Sequence, residues 1–195
     1  MSRRAGLRRY TWVYKPYPRV IYVGLYTDPF PGKIVKIDLT TFTKVTTLTL
    51  AADEKSCDNL AISGGYLYAS CFTEGRLVKV DLSTFTEVAT IILPGAPGLR
   101  QPWSVLVKDG YLYWGMDYID PSEVWKIDLS TFTIVGTLTM NLGEYFDEGL
   151  AVSGNYLYDG LAGHGGSPSQ IVKIDLNTFT QVVTLTLSEQ DLEDI

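Results

Sequence analysis

Residues able to carry out chemistry are few in this sequence, and their spacing matches no standard catalytic motif. His164 is the only histidine among 195 residues, and it lies in the glycine-rich stretch Ala-Gly-His-Gly-Gly. A single histidine excludes multi-histidine zinc sites and disfavours a Ser-His-Asp triad. The GxSxG, GxxxxGK[ST] and GxGxxG patterns are absent from the sequence. The sequence therefore predicts that the chain is not an enzyme.

Acidic residues offer a second kind of chemistry, because carboxylate oxygens are the ligands that calcium prefers. Their spacing matches no EF-hand loop. We therefore expect no cofactor, with a calcium ion as the alternative. The carboxylates concerned are Asp28, Asp117, Asp120, Glu144, Asp147 and Glu148.

One phrase, written four times, organises the chain around these residues. It begins at Lys33 as KIVKIDLTTFTKVTTLTL and returns from Arg76, Glu123 and Gln170. Its aspartates are 43, 47 and 47 residues apart. Fixed periods of this length are typical of solenoids, propellers and arrays. The aspartates are Asp38, Asp81, Asp128 and Asp175.

Each copy of this phrase reads as two strands joined by a tight turn. Val78, Val80 and Leu82 alternate with polar residues, which is the period of a strand, and the Asp-Leu-Ser/Thr-Thr-Phe corner is typical of a turn. A second phrase, such as LAISGGYLY from Leu60, adds a hairpin before it. Four strands in about 45 residues match a propeller blade. The sequence therefore predicts an all-β fold, a β-propeller of four four-stranded antiparallel blades.

The predicted propeller covers residues 10–187 and has a tail at each end. The blades are expected at 10–50, 51–93, 94–140 and 141–187. Residues 1–9 form a basic arm that is either a solvated tail or a segment that docks on an acidic surface or a nucleic acid. Residues 188–195 form an acidic C-terminal tail.

The strand VIYVGLYTD from Val20, followed by KIVKIDLTTFTKVTTLTL, resembles the YVTN-type propeller repeat. That repeat has a Y-V-T-N-like strand, then V-x-V-I-D, a turn and V-x-T-I. The resemblance covers about residues 19–187. It implies a binding or scaffold module similar to those of archaeal surface-layer proteins and bacterial periplasmic propellers.

Linkers of variable length indicate which face carries function. The linkers between the second and third strands, and those between blades, open on the same face of an up-down-up-down blade, where binding residues tend to lie. Asp58, Trp103 and Glu148 come near the start of successive inner strands, beside the expected channel. The candidate ligand- or glycan-binding residues are Asp58, Trp103, Tyr118, Tyr145, Asp147 and Glu148.

Two cysteines flank the hairpin of the second blade. Cys57 and Cys71 are centred on Gly64, so antiparallel pairing brings them opposite each other or one residue out of register. The sequence leaves open whether they form a disulfide or stay as two buried thiols. A disulfide favours an oxidising location.

The last strand of each blade alternates threonine with an apolar residue. Because each blade packs on its neighbours, we expect the apolar half of these strands to be buried between blades. These residues are Leu48, Leu50, Ile91, Leu93, Leu138, Met140, Leu185 and Leu187.

Composition limits the partners. A net charge of −6 and a pI of about 4.7 disfavour nucleic-acid binding, except through the basic arm. No apolar run is long enough to span a membrane, and an extracellular, cell-surface or virion location is favoured over a cytoplasmic one.

The predicted function is a structural or interaction module that assembles with copies of itself. A four-blade ring is one arrangement. An open arc that pairs with a second copy, or extends into a filament, is the other. A propeller that binds a protein or glycan through the variable loops is the alternative function, and a metal-dependent propeller enzyme comes third.

Overall fold

The computed structural model of the protein describes residues 19–27, 29–57, 59–73, 75–94, 101–117, 121–144, 147–163 and 167–187. The regular structure in these ranges is entirely β, with fifteen strands in four antiparallel sheets. This confirms the predicted all-β fold of four blades. The first sheet has three described strands, and the hairpin expected around residues 10–18 lies outside the described residues.

Consecutive strands are neighbours in every sheet, so no connection crosses another. Sheet one contains β1 (Val20–Leu25), β2 (Lys33–Asp38) and β3 (Thr43–Thr49). Sheet two contains β4 (Asn59–Ser63), β5 (Tyr66–Cys71), β6 (Arg76–Asp81) and β7 (Thr86–Ile92). Sheet three contains β8 (Gln101–Lys108), β9 (Tyr111–Asp117), β10 (Glu123–Asp128) and β11 (Thr133–Thr139). Sheet four contains β12 (Asp147–Ser153), β13 (Tyr156–Leu161), β14 (Gln170–Asp175) and β15 (Thr180–Thr186).

The turn between the last two strands of each sheet is built by its aspartate. In sheet two, Asp81 Oδ1 accepts hydrogen bonds from the backbone N–H groups of Ser83 and Thr84, at 2.7 and 3.3 Å. Bonds from the Ser83 hydroxyl and backbone lower the pKa of Asp81, because they favour its charged form. The phenylalanine that follows is left-handed at all four turns. The φ angles are 51° at Phe42, 55° at Phe85, 53° at Phe132 and 52° at Phe179.

A β-bulge recurs in the last strand of each sheet. The register shifts by one residue between Lys79 and Val80, which leaves Val88 unpaired and turned outward. The shift repeats in the other three sheets. The bulged valines are all about half exposed, at 53–54%. They are Val45, Val88, Val135 and Val182.

Three apolar clusters lie between the sheets, and each joins neighbours in chain order. Ile34 of sheet one packs with Val78 and Val80 of sheet two. Further clusters join sheet two to sheet three and sheet three to sheet four. None of these clusters joins sheet four to sheet one.

The packing prediction for the last strands is confirmed at the three seams between sheets and wrong at the end of the array. Leu50, Leu93 and Met140 are buried, and Leu48, Ile91 and Leu138 pack against the clusters. Leu185 is instead 58% exposed, and Leu187 is only partly buried. No described sheet follows sheet four, so no described sheet covers the apolar side of β15.

The two cysteines are bonded in the structure. Cys57 and Cys71 form a disulfide whose Cα atoms are 3.9 Å apart, and neither residue has exposed surface. The bond ties the linker before β4 to the end of β5. The described part of the chain contains no helix that could cross a membrane.

We predict that Leu157→Ala lowers the free energy of unfolding by about 2–5 kcal/mol, because it opens a cavity in the third cluster. Leu157 has no exposed surface. Leu142→Ala is the matched control, since Leu142 is 84% exposed, and it should cost less than about 0.5 kcal/mol. Urea unfolding measures both variants. Equal losses would show that sheets three and four do not pack as described.

We predict that replacing both cysteines by alanine lowers the free energy of unfolding by about 3 kcal/mol, because the bond closes a loop of about 15 residues. Urea unfolding of this variant should agree with that of the reduced native chain. The prediction fails if intact-mass measurement finds two alkylatable thiols in the native chain without reductant.

Candidate functional site

The residues proposed for ligand binding are only partly within the described structure. Asp58, Tyr118 and Tyr145 lie outside the described residues, as does His164. Trp103, Asp147 and Glu148 are described. The ligand site formed by these six residues stays a prediction.

Trp103 and Glu148 occupy equivalent positions in neighbouring sheets. The register of β8 shifts between Pro102 and Val105, and that of β12 shifts between Asp147 and Gly149. Both side chains therefore lie in β-bulges, which re-aim side chains. The Trp103 ring packs edge-on against Phe72, with centroids 5.5 Å apart, whereas Glu148 is exposed. No hydrogen bond joins these two described residues.

Asp147 faces the protein interior rather than the loop face. Only 1% of its surface is exposed, and its Oδ2 accepts the backbone N–H of Ser104 at 3.0 Å. This bond links the first strand of sheet four to that of sheet three. Asp147 therefore acts as a contact between blades, which corrects its expected position on an open binding surface.

A second buried carboxylate lies beside Asp147. Asp159 of β13 has no exposed surface, and neither of its oxygens has a hydrogen-bond partner among the described residues. Asp147 Oδ1 and the Ser104 hydroxyl are also buried and unbonded there. Burial, followed by the negative charge of Asp147, raises the pKa of Asp159 well above its ordinary value of 3.8.

Gly115 makes room for this carboxylate pair. A Cβ atom at position 115 would collide with the Asp147 carboxylate and with Ser104 Oγ. A side chain there would therefore force Asp147 out of the seam. Sequence reasoning missed Asp159 because it stands in the middle of a strand, at the position that carries Ala69 in sheet two and Trp114 in sheet three.

The described members of the predicted calcium-ligand set do not form a metal site. The described residues contain no group of three or more acidic, histidine or cysteine side chains that could hold a metal ion. Asp28 and Asp120 lie outside the described residues, and the side chain of Asp117 is not described. The Glu144 carboxylate is already engaged, because it accepts hydrogen bonds from the Asn141 backbone and from the Gln181 and Thr184 side chains.

Glu144 and Glu54 have a shared role that sequence reasoning missed. Each is at most 3% exposed and accepts the N–H of the residue three positions before it, Asn141 or Ala51. Each also accepts a hydroxyl from the last strand of the following sheet, such as Thr90 for Glu54 at 2.7 Å. The sequence signal for this role is a glutamate four residues after a buried apolar residue, as Glu54 follows Leu50 and Glu144 follows Met140.

A cleft lies on the opposite face, among the short turns. Its volume is about 160 Å³, and Lys108, Asp109, Tyr111, Lys126 and Asn155 line it. The Lys126 ammonium lies 4.2 Å from the Tyr111 ring centroid. Concave surface in the described molecule is therefore not confined to the face that carries the variable loops.

In the described part of the chain, the two ends of the sheet array carry exposed apolar faces. On sheet one, Ile21, Val23 and Leu25 alternate along β1 on the side away from sheet two and are 36–39% exposed. On sheet four, Val183 and Leu185 of β15 are 56% and 58% exposed on the side away from sheet three. These surfaces are called the first and second end faces below.

A family model described as "LVIVD repeat" matches residues 55–89, which lie largely in sheet two. The match supports a propeller repeat and does not identify the YVTN type. No curated protein matches the sequence.

Solved structures match nearly the whole chain. Hydrazine synthase of Kuenenia stuttgartiensis aligns with a TM-score of 0.72 and 15% identity, over 94% of this chain and 53% of that chain. A europium-containing methanol dehydrogenase aligns with a TM-score of 0.65 and 14% identity, over 87% and 40% of the two chains. The quinohemoprotein alcohol dehydrogenase from Comamonas testosteroni aligns with a TM-score of 0.67 and 16% identity, over 87% and 33%.

The chain has a β-propeller fold. It spans about half of the hydrazine synthase chain and less of the two dehydrogenases. At these identities the likeness shows the fold alone.

Two predictions from sequence are corrected by these neighbours. The chain was expected not to be an enzyme and to take no cofactor, because its sequence lacks catalytic motifs. Proteins named as enzymes share its fold. One of these names includes europium, and another describes a quinohemoprotein. A cofactor can supply the reactive group itself, so a missing catalytic motif does not exclude enzymatic activity from this fold.

We predict that Asp159→Asn stabilises the protein increasingly as the pH rises above about 4, by about 1–3 kcal/mol at neutral pH. The pKa of Asp159 is raised in the folded state. Its neutral form therefore contributes stability that is fully present below the unfolded value of 3.8 and is lost as the pH rises through the folded value. An asparagine has no charge to bury at any pH.

Urea unfolding between pH 4 and 8 measures this difference. Asp109→Asn is the control, because it makes the same substitution at a carboxylate whose side chain is 74% exposed rather than buried. Parallel profiles for Asp159→Asn and the native chain would contradict the prediction.

Proposed function

We propose that this protein is a propeller interaction module that works by packing its two end faces against further blades of the same repeat class. The observation that carries the proposal is the contrast between inner and outer sheet faces. Inner faces with the same residue types are buried, as at Leu77 and Val124, whereas the end faces expose theirs.

The exposed residues match the buried ones position by position. Leu185 stands opposite Ile171 on sheet four, just as Leu138 stands opposite Val124 on sheet three, where Val124 has no exposed surface. Exposed apolar surfaces that are contiguous mark interaction sites. A blade of the same repeat class fits them best, because the same pairs already pack against such blades at the inner seams.

The disulfide supports an oxidising setting for this module. Disulfides persist in extracellular, periplasmic and virion-surface environments and are rare in the cytosol. We therefore propose that the module works outside the cytoplasm, in a surface layer, an appendage or a virion.

Site-specific photo-crosslinking tests the proposal. A benzophenone amino acid replaces Leu185 on the second end face in the full chain, within the cell that makes the protein. We expect an adduct whose peptide belongs to a propeller blade and contains its Asp-Leu-x-Thr-Phe turn or an adjoining strand. The same probe at Leu142, which is 84% exposed but lies away from both end faces, is the control. Identical adducts from both positions, or no adduct from position 185, would overturn the proposal.

A further inference from the structure

One aromatic contact recurs at all three seams between sheets. The turn phenylalanine of each following sheet lies against a tyrosine of the preceding sheet. The ring centroids are 5.7 Å apart for Phe85 and Tyr22, 5.9 Å for Phe132 and Tyr68, and 6.0 Å for Phe179 and Tyr113.

A lysine completes the contact each time. The lysine ammonium lies 5.9 Å from the Phe85 ring at the first seam, 5.2 Å from Phe132 at the second and 5.5 Å from Phe179 at the third. These lysines are Lys36, Lys79 and Lys126. A cation near the face of an aromatic ring is attracted to the negative charge of that face. The tyrosine ring and the lysine ammonium therefore both stabilise the position of the phenylalanine.

The tyrosine and the lysine are always direct partners across two strands. Tyr22 stands opposite Lys36, Tyr68 opposite Lys79, and Tyr113 opposite Lys126. Sheet four contains the same pair, with Tyr158 opposite Lys173. We call each such pair a socket and the turn phenylalanine that enters it a knob.

Among the described residues, the socket of sheet four has no knob, because the phenylalanine–tyrosine contacts there involve Tyr22, Tyr68 and Tyr113 and not Tyr158. Lys173 lies over Tyr156, 3.8 Å from its ring centroid, as Lys79 lies over Tyr66 at a filled socket. At the other end of the described array, the knob of sheet one meets no described socket. Phe42 is 78% exposed, whereas Phe85, Phe132 and Phe179 are partly buried at their seams.

Phe42 is held ready for insertion in the same way as the other knobs. Its φ of 51° is unfavourable for a phenylalanine, and Asp38 Oδ1 fixes the turn by accepting the N–H groups of Thr40 and Thr41. Leu39 beside it is 46% exposed, while its counterparts Leu82, Leu129 and Leu176 pack in the seams. A pre-formed knob loses little conformational freedom on binding.

We propose that Phe42 of one copy inserts into the Tyr158–Lys173 socket of a second copy, head to tail, so that two copies close one eight-blade ring. This inference rests on the proposed function and names its partner. One chain carries both halves of a contact that it already makes three times, so its end faces are complementary to each other. In two copies related by a two-fold axis, both unpaired halves are used.

The packing of the described sheets favours two copies over closure within one chain. The four sheets align over 94% of this chain with 53% of a longer chain, at a TM-score of 0.72. The apolar clusters of the described residues join sheets in chain order and do not join sheet four to sheet one. A second copy supplies the missing neighbour for both ends at once.

Sedimentation of the purified full chain over a wide concentration range tests the proposal. We expect a dimer of the 21.7 kDa chain. Phe42→Ala should weaken dimerisation about tenfold for each lost contact, and about 100-fold for a ring that loses two. Phe30→Ala is the matched control, because Phe30 is 68% exposed on a loop of the same sheet and should leave the dissociation constant unchanged.

Mixing two impaired variants separates direct contact from a general loss of structure. Phe42→Ala and Tyr158→Ala each break both contacts of their own ring. A one-to-one mixture can form a ring with one intact contact, so the mixed dimer should be tighter than either variant alone. If mixing gives no gain, Phe42 does not enter this socket.

The remaining outcomes distinguish the two proposals. A native chain that stays monomeric, with a crosslink from position 185 to a blade of a different protein, overturns the second copy and retains the proposed function. A monomeric chain with no crosslink overturns both. A series of ever larger oligomers that Phe42→Ala abolishes would overturn the closed ring.

Discussion

Every sheet of this protein has two apolar faces, and each face requires another sheet against it. The rest of the structure depends on that requirement. Sheets two and three meet it on both sides, so residues such as Leu77, Leu112 and Val124 are withdrawn completely from water. Sheets one and four meet it on one side only, and the same kinds of side chain are exposed there. The described part of the chain is therefore an array with two unsatisfied ends.

The turn phenylalanines follow from the same requirement. A left-handed backbone costs an ordinary residue roughly 1–2 kcal/mol, because its Cβ approaches a carbonyl oxygen. Asp81 offsets part of that cost with its bonds to the backbone, and Phe85 offsets more by entering the neighbouring sheet. Phe42 carries the same backbone conformation without a neighbour in the described structure. The turn at Phe42 therefore keeps this cost without the packing that offsets it at the other three turns.

The seams share one geometry and differ in chemistry. Two equivalent residues lie together at the open end of the hairpin formed by the first two strands of a sheet. In sheet two they are Cys57 and Cys71, joined by the disulfide. In sheet three they are Pro102 and Met116, and in sheet four they are Asp147 and Leu161. The repeat therefore tolerates a covalent bond, an apolar contact or a buried charge at one position.

Sequence alone determined what depends on neighbours along the chain. The alternation of apolar and polar residues predicted the strands, the Asp-Leu-Ser/Thr-Thr-Phe pattern predicted the turns, and the repeat length predicted four sheets in chain order. The sequence also predicted that Leu138 lies between two sheets, because alternation along a strand determines which side chains share a face. Tertiary structure decided what each face meets: Leu185 has the same local pattern but is exposed, and Asp147 resembles a loop ligand but is buried. Burial depends on which sheet lies opposite, and that information is held in residues distant along the chain or in another chain.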